Sequence, residues 1–187
     1  MKKSLLILSL GLVMLGCGGV KNPAGEEEIF IPCQGGEFMS DKNYFRALGT
    51  GISNNAVGAI QSAEQMASSN LALDIQRKVQ VVTERWSKNI TEADRGEFLE
   101  KSEGMSRQIA SVNISKTKTI CSKTTKVKST GMYKHYICIE MPIEGIKEQL
   151  KEKISKETKT TIEVESEKFR AIFDEEMNKI LLNQKNN

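Results

Sequence analysis

Apolar positions along this chain fall into distinct spacings, and each spacing predicts an element. The longest is a stripe at Ala56, Ala59, Ile60, Ala63, Met66, Ala67, Leu71, Ile75, Val79, Val82 and Trp86. Its steps of three and four keep one face of a helix apolar throughout. The first half is mostly alanine, so this helix should lie very close to whatever it packs on; the second half widens to branched residues. Asn54 or Asn55 can cap its start. A second helix fits residues 94–110, with Phe98, Met105 and Ile109 on one face and Ser102 between them. Residues 45–53 read as a strand, and residues 29–33 as a short edge strand ended by Gly35-Gly36.

Two further strands, about 111–128 and 132–141, are expected to form a hairpin joined near Ser129-Thr130-Gly131. Val112, Ile114 and Ile120 share one parity, while Ile137, Ile139 and Met141 share the other. Both sets reach one core only if opposed residue numbers sum to an odd value, as a turn on Thr130-Gly131 provides. Past Pro142, Ile143, Ile146, Leu150 and Ile154 form one helical stripe. Ile162, Phe169, Ile172, Phe173, Met177, Ile180 and Leu181 form another, and two helices or a single bent one fit equally. Gly49-x-Gly51 has the outline of a phosphate loop but lacks a third glycine and a Lys-Ser/Thr pair. Strand glycines that admit a neighbouring backbone are the better reading.

The first residues belong to a different pattern. Met1-Lys2-Lys3 precedes an apolar run from Leu5 to Leu15 and then Gly16-Cys17-Gly18-Gly19. A permanent membrane helix needs about 20 apolar residues, and this run is shorter. Basic residues, a short apolar run and a small residue before cysteine are the layout of a bacterial lipoprotein signal. Cleavage after Gly16 would free Cys17 to carry diacylglycerol and an N-acyl chain. Met14 stands where leucine is usual, three residues before the cysteine. The expected organisation is a signal over 1–16, a flexible tether over 17–28, a mixed domain over 29–142 and a helical region over 143–187.

Composition narrows the rest. The 187-residue chain carries a formal charge of +3, and loss of Lys2 and Lys3 with the signal brings it close to neutral. No global field attracts nucleic acid. The interleaved Lys and Glu of residues 147–159 suit a solvated helix face. Besides Cys17 there are three cysteines, Cys33, Cys121 and Cys138, so one intrachain disulfide leaves one thiol over. Cys121–Cys138 and Cys33–Cys121 are both open pairings, with the second favoured because it would staple the tethered segment to the hairpin. No Cys-x-x-Cys occurs and His135 is the only histidine, which argues against zinc or redox chemistry.

Catalytic signals are sparse. His135 lies mid-strand, and neither a Gly-x-Ser-x-Gly elbow nor a Ser-x-x-Lys motif is present. The alternative function is a small-ligand binder or enzyme using the hairpin face around His135. Asp174, Glu175 and Glu176 fan around a helix rather than converging, and Glu97, Glu100, Glu103 and Arg107 are spaced for surface pairs. Lys116, Lys118, Lys123, Lys126, Lys128 and Lys134 make the hairpin positive, either to guard a strand edge or to meet acidic envelope groups. Phe169, Ile172, Phe173, Met177 and Ile180 suit either the chain's own core or a face for a second copy or an envelope partner.

The order of these features resembles the LPP-twenty group of bacterial outer-membrane lipoproteins, which includes flagellar basal-disc lipoproteins. The likeness spans residues 41–141. It rests on Cys17 in its lipobox, on Phe45-Arg46-Ala47-Leu48-Gly49-Thr50-Gly51, on the alanine-spaced helix through Ala63, Ala67 and Leu71-Ala72, and on Tyr136-Ile137-Cys138-Ile139-Glu140. The resemblance implies an α+β domain, with a long and a second helix on a small antiparallel sheet. It also implies lipid anchoring at the outer membrane of a Gram-negative bacterium, no enzymatic activity, no cofactor beyond the lipid on Cys17, and ring assembly in some relatives. Gly18 is not the Asp that retains lipoproteins at the inner membrane in some bacteria.

Overall fold

A computed structural model describes residues 29–158 and 166–185. Gly16, Cys17 and the tether 17–28 lie outside the described residues. From Ile31 onward the chain clusters as one unit, so the region after residue 142 is continuous with the mixed domain. Three strands, β1 (Tyr44–Ser53), β2 (Lys118–Lys126) and β3 (Tyr133–Pro142), form an antiparallel sheet in the order β1-β3-β2. Four helices accompany them: α1 (Ala56–Ser87), α2 (Glu92–Ile114), α3 (Glu144–Thr158) and α4 (Ser166–Lys185). The fold is α+β.

Alternation sets the two faces of the sheet. Phe45, Ala47, Gly49 and Gly51 of β1 pair with Met141, Ile139, Ile137 and His135 of β3, and these residues are buried on the α1 side. Helix α1 presses Ala59, Ala63 and Ala67 onto that face, each fully buried. The approach is close enough to exclude any side chain. A Cβ on Gly49 would fall 2.0 Å from the Ala63 carbonyl oxygen, and one on Gly51 2.0 Å from that of Ala59. The two strand glycines therefore serve helix packing, and Asn55 Oδ1 caps α1 by accepting from Gly58 N at 2.7 Å.

Beyond the sheet, α1 continues through Leu71, Ile75, Val79, Val82 and Trp86 into a helical layer. Phe98, Met105 and Ile109 of α2, Ile146, Leu150 and Ile154 of α3, and Phe169 and Phe173 of α4 close the same core. Trp86 meets Phe169 edge-on at 5.7 Å. At the α2–α3 seam, buried Asn113 and half-buried Gln149 exchange amide hydrogen bonds of 2.9 and 3.2 Å.

Two sequence expectations are corrected. Residues 29–33 form no strand. Gln34 N turns back to Ile31 O, Pro32 has no N–H to give a ladder, and Cys33 sits at φ 60, outside any strand conformation. The β1 edge is moreover already filled. Ser40 Oγ accepts from Arg46 N, Asp41 Oδ1 accepts from Tyr44 N, and Asn70 Nδ2 donates to Leu48 O. Second, residues 111–114 extend α2 instead of opening the hairpin. Val112 is exposed and Ile114 packs against the core from the helix.

The hairpin loop is longer than expected. Val127 N donates to Met132 O, leaving Lys128 to Gly131 as the loop with Gly131 at φ 73. The register Cys121↔Cys138 through Lys126↔Tyr133 keeps the odd sum, and an irregularity between Thr119 and Cys121 breaks it beyond.

Candidate functional site

The face of the sheet away from α1 carries Arg46, Leu48, Thr50 and Ile52 from β1, Lys134, Tyr136, Cys138 and Glu140 from β3, and Cys121 and Lys123 from β2. A segment of about residues 31–41, with a 3-10 turn over Gly36–Phe38, is fixed to this face in two places.

The first attachment is the Cys33–Cys121 disulfide, with an S–S distance of 2.07 Å. Cys138 stands directly opposite Cys121 on β3, yet remains a free, buried thiol. Counting ladder bonds from Val127–Met132 makes 121 and 138 a hydrogen-bonded pair. Such pairs hold their Cα atoms about 5.5 Å apart and their side chains farther apart than non-hydrogen-bonded pairs do. A disulfide wants Cβ atoms within about 4.5 Å, so Cys121 turns outward to Cys33 instead. The Cys138 thiol donates toward Phe38 O at 3.7 Å. Burial pushes it up to about 11, with Glu140 adding to the effect and Arg46 opposing it. A thiol held neutral in this way is a poor nucleophile.

The second attachment is Arg46. Its guanidinium donates to Met39 O at 2.7 Å, Asp41 Oδ2 at 2.8 Å and Glu140 Oε2 at 3.1 Å, and lies over the Tyr44 ring. Burial alone would raise the Asp41 carboxyl, but hydrogen bonds from the Asn43 and Tyr44 amides and from Arg46 hold it below its ordinary value. The sequence marks Arg46 only as a strand residue. Its role depends on Asp41 in the loop before β1 and on Glu140 across the sheet, and no spacing within the strand reveals it.

His135 sits on the opposite face, 3% exposed. Its Nδ1 is 2.8 Å from Thr124 Oγ1 and its Nε2 is 3.3 Å from Ser122 Oγ, both hydroxyls belonging to the neighbouring strand. Hydroxyls donate or accept as required, so either tautomer is satisfied. The arrangement fixes the ring through two hydroxyls of the neighbouring strand. Neither nitrogen remains open to a ligand.

Lysines gather around the hairpin. Lys116, Lys118, Lys123, Lys126 and Lys128 are exposed, while Lys134 is half-buried with Nζ 4.9 Å from the Tyr136 ring centroid. Lys126 Nζ similarly lies 5.1 Å from the Tyr133 ring. From Gly104 to Ile139 the chain has no Asp or Glu. None of these six lysines forms an ion pair with a carboxylate among the described residues. Elsewhere pairing is dense: Arg85 with Glu175 and Glu176, Lys101 with Glu97 and Glu157, Arg107 with Glu103, Lys156 with Glu152.

The apolar side of α4 is not a free face. Phe169 and Phe173 are fully buried, Met177 is 6% exposed, and Ile172 is partly buried against the same cluster. Of the two readings open for these residues, Phe169, Phe173 and Met177 lie in the chain's own core with side chains of α1 and α3. The Ile180 side chain lies outside what the structure describes. Asp174 reaches Lys147 at 3.4 Å, and the acidic run of α4 is spent on such pairs. Among the described residues no group of three or more His, Cys, Asp or Glu side chains is placed to hold a metal ion.

A cleft of about 520 Å³ opens between the start of β1, α3 and α4, lined by Asn43, Tyr44, Ile143, Lys147 and Asp174. Its least exposed cation, Lys147, is taken by Glu144 and Asp174 at 2.9 and 3.4 Å. A second, of about 390 Å³, lies beside Arg46, Asn70 and Leu73. No helix among the described residues is long and apolar enough to cross a membrane. No known protein family, curated protein or solved structure matches the chain.

Proposed function

We propose that this chain is an exported lipoprotein, cleaved after Gly16, lipidated on Cys17 and held by that lipid at the outer membrane. There it acts without catalysis, by binding or by assembling with other envelope components. Kinship with the LPP-twenty lipoproteins is part of this proposal, supported by the sequence features quoted for it and compatible with the α+β fold.

The observation that carries the reading is how the four cysteines divide. Cys33 and Cys121 are joined, a bond characteristic of an oxidising compartment such as the periplasm. Cys138 is buried and kept neutral. That leaves Cys17, placed behind a short apolar run and a small residue, as the cysteine available for lipid. The polar constellations of the domain support a structural role over chemistry. His135 is closed off by hydroxyls, and Arg46 secures a segment of the chain's own backbone.

Intact mass of the membrane-extracted protein tests this. The expected mass is that of the chain from Cys17 onward plus diacylglyceryl and acyl groups, with a Cys17→Ser variant lacking both. An unlipidated chain of native sequence would remove the anchor from the account.

A further inference from the structure

We propose that the β2–β3 hairpin is an electrostatic docking face for the anionic phospholipid headgroups of the leaflet that holds the anchor. This rests on the lipid-anchor reading for its setting, but its physical basis lies in the hairpin. Lys116, Lys118, Lys123, Lys126, Lys128 and Lys134 follow one another in a stretch without Asp or Glu; Glu140, opposite Lys118 in the sheet, is engaged by Arg46, and none of the six forms an ion pair among the described residues. Guarding a strand edge accounts for Lys118, Lys123 and Lys126 on β2. It does not account for Lys134, which belongs to the central strand, or for Lys128 in the loop. Lys126 lies over the Tyr133 ring on the α1 side of the hairpin and Lys134 over the Tyr136 ring on the other, so the hairpin would meet the headgroups edge-on, with lysines of both faces. Tyrosine suits the boundary between headgroups and acyl chains, where an amphipathic ring has one apolar and one polar side.

The covalent path from the anchor leads to this place. Ile31 follows Cys17 by 14 residues, a span of at most about 50 Å, and two residues later Cys33 is bonded to β2 through Cys121. Cys121 shares its sheet face with Lys118, Lys123 and Lys134. The lipid therefore tethers the domain by its most cationic element. Diacylglyceryl and N-acyl chains together suffice to hold the protein at the membrane, so the basic hairpin would set which part of the domain meets the surface. Each lysine at an anionic surface improves partition by about five-fold. The disulfide ensures that the tether pulls on the basic hairpin and not on the acidic side of α4.

Lysine acetylation read by mass spectrometry tests this on the native lipidated protein. The protein is bound to vesicles of phosphatidylcholine alone or of phosphatidylcholine with phosphatidylglycerol. Lys118, Lys123, Lys126, Lys128 and Lys134 should react about five-fold or more slowly on the anionic vesicles, with Lys151 and Lys156 of α3 unchanged. High salt should abolish the difference. A Lys123→Gln/Lys126→Gln/Lys134→Gln variant, altered outside the apolar core, should lose the protection at the remaining hairpin lysines. Equal hairpin rates on both vesicle types would overturn the proposal and leave an acidic protein or polysaccharide as the occupant. Flotation with the neutral vesicles reports the anchor separately. A protein that fails there yet binds the anionic vesicles would refute the anchor and keep the hairpin.

Discussion

At Gly49 and Gly51 one methyl group decides whether α1 can reach the sheet. A Cβ at either position would lie 2.0 Å from a helix carbonyl oxygen, and the obstacle is backbone that cannot rotate aside. Gly49→Ala should therefore destabilise by about 3 kcal/mol or more, at or above the upper end for overpacking. The same change at Gly104, inside α2 with nothing within 4 Å of the new carbon, should stabilise by about 0.5–1 kcal/mol. Urea unfolding of the two variants measures the opposite signs. Cys138 offers a pH-dependent counterpart. Burial raises its thiol to about 11 from an ordinary value of 9.0, so above pH 9 the unfolded thiol ionises while the folded one does not. Stability should fall from pH 9 toward 11, and a Cys138→Ala variant should lack that part of the decline. Alkylation at pH 8 should be far slower in the native protein than in urea. Rapid native labelling would show an accessible thiol and refute the burial argument.

Among the elements, α1 joins two cores that would otherwise be separate, its alanine half serving the sheet and its branched half the helices. Trp86 and Phe169 meet at the far end, with Phe173 beyond. Phe173→Ala should cost about 3–5 kcal/mol, and Phe173→Asp should prevent folding. An oligomer dissolved by Phe173→Asp with the monomer still folded would restore the docking role for α4. Much of this layer is legible in the sequence because helical spacing persists over many turns, and the stripes of α1 and α3 stand out residue by residue. The short alternations misled. Val112 and Ile114 have strand parity, but Ile109 and Asn113 continue the buried face of α2 at helical steps, and only packing decides between the two spacings. The irregularity near Ile120 removes the alternation that would have marked where β2 begins. The apolar stretch 29–33 failed as a strand because side chains already satisfy the β1 edge, a fact held in Ser40, Asp41 and Asn70 and invisible from the stretch itself. The hydroxyl cage of His135 and the Arg46 cluster arise from pairing across strands, which spacing within one strand does not encode.

For the whole molecule, the Cys33–Cys121 bond determines how the N-terminal segment is coupled to the domain. The bond closes a loop of sequence separation 88, for which the chain-entropy model gives about 4–5 kcal/mol, and native disulfides of this kind contribute about 2–5 kcal/mol. The core cluster includes neither of its cysteines. A Cys33→Ser/Cys121→Ser variant should accordingly keep its helical circular dichroism while losing stability in that range. The loss should also have a location. With the disulfide gone, residues 31–39 are held by the Arg46 contacts to Met39 and Asp41 and by the weak Cys138–Phe38 contact. The segment should lift at its Cys33 end and uncover the buried thiol, so Cys138 alkylation should accelerate in the folded variant. Adding Arg46→Ala removes the second attachment and leaves Glu140 without its cation, so labelling should quicken further. If the unfolding midpoint stays in place and Cys138 stays protected, Arg46 alone secures the segment and the disulfide adds only a covalent link between residues 31–39 and the hairpin. If both change together, one bond governs both the domain's stability and the cover over its buried thiol.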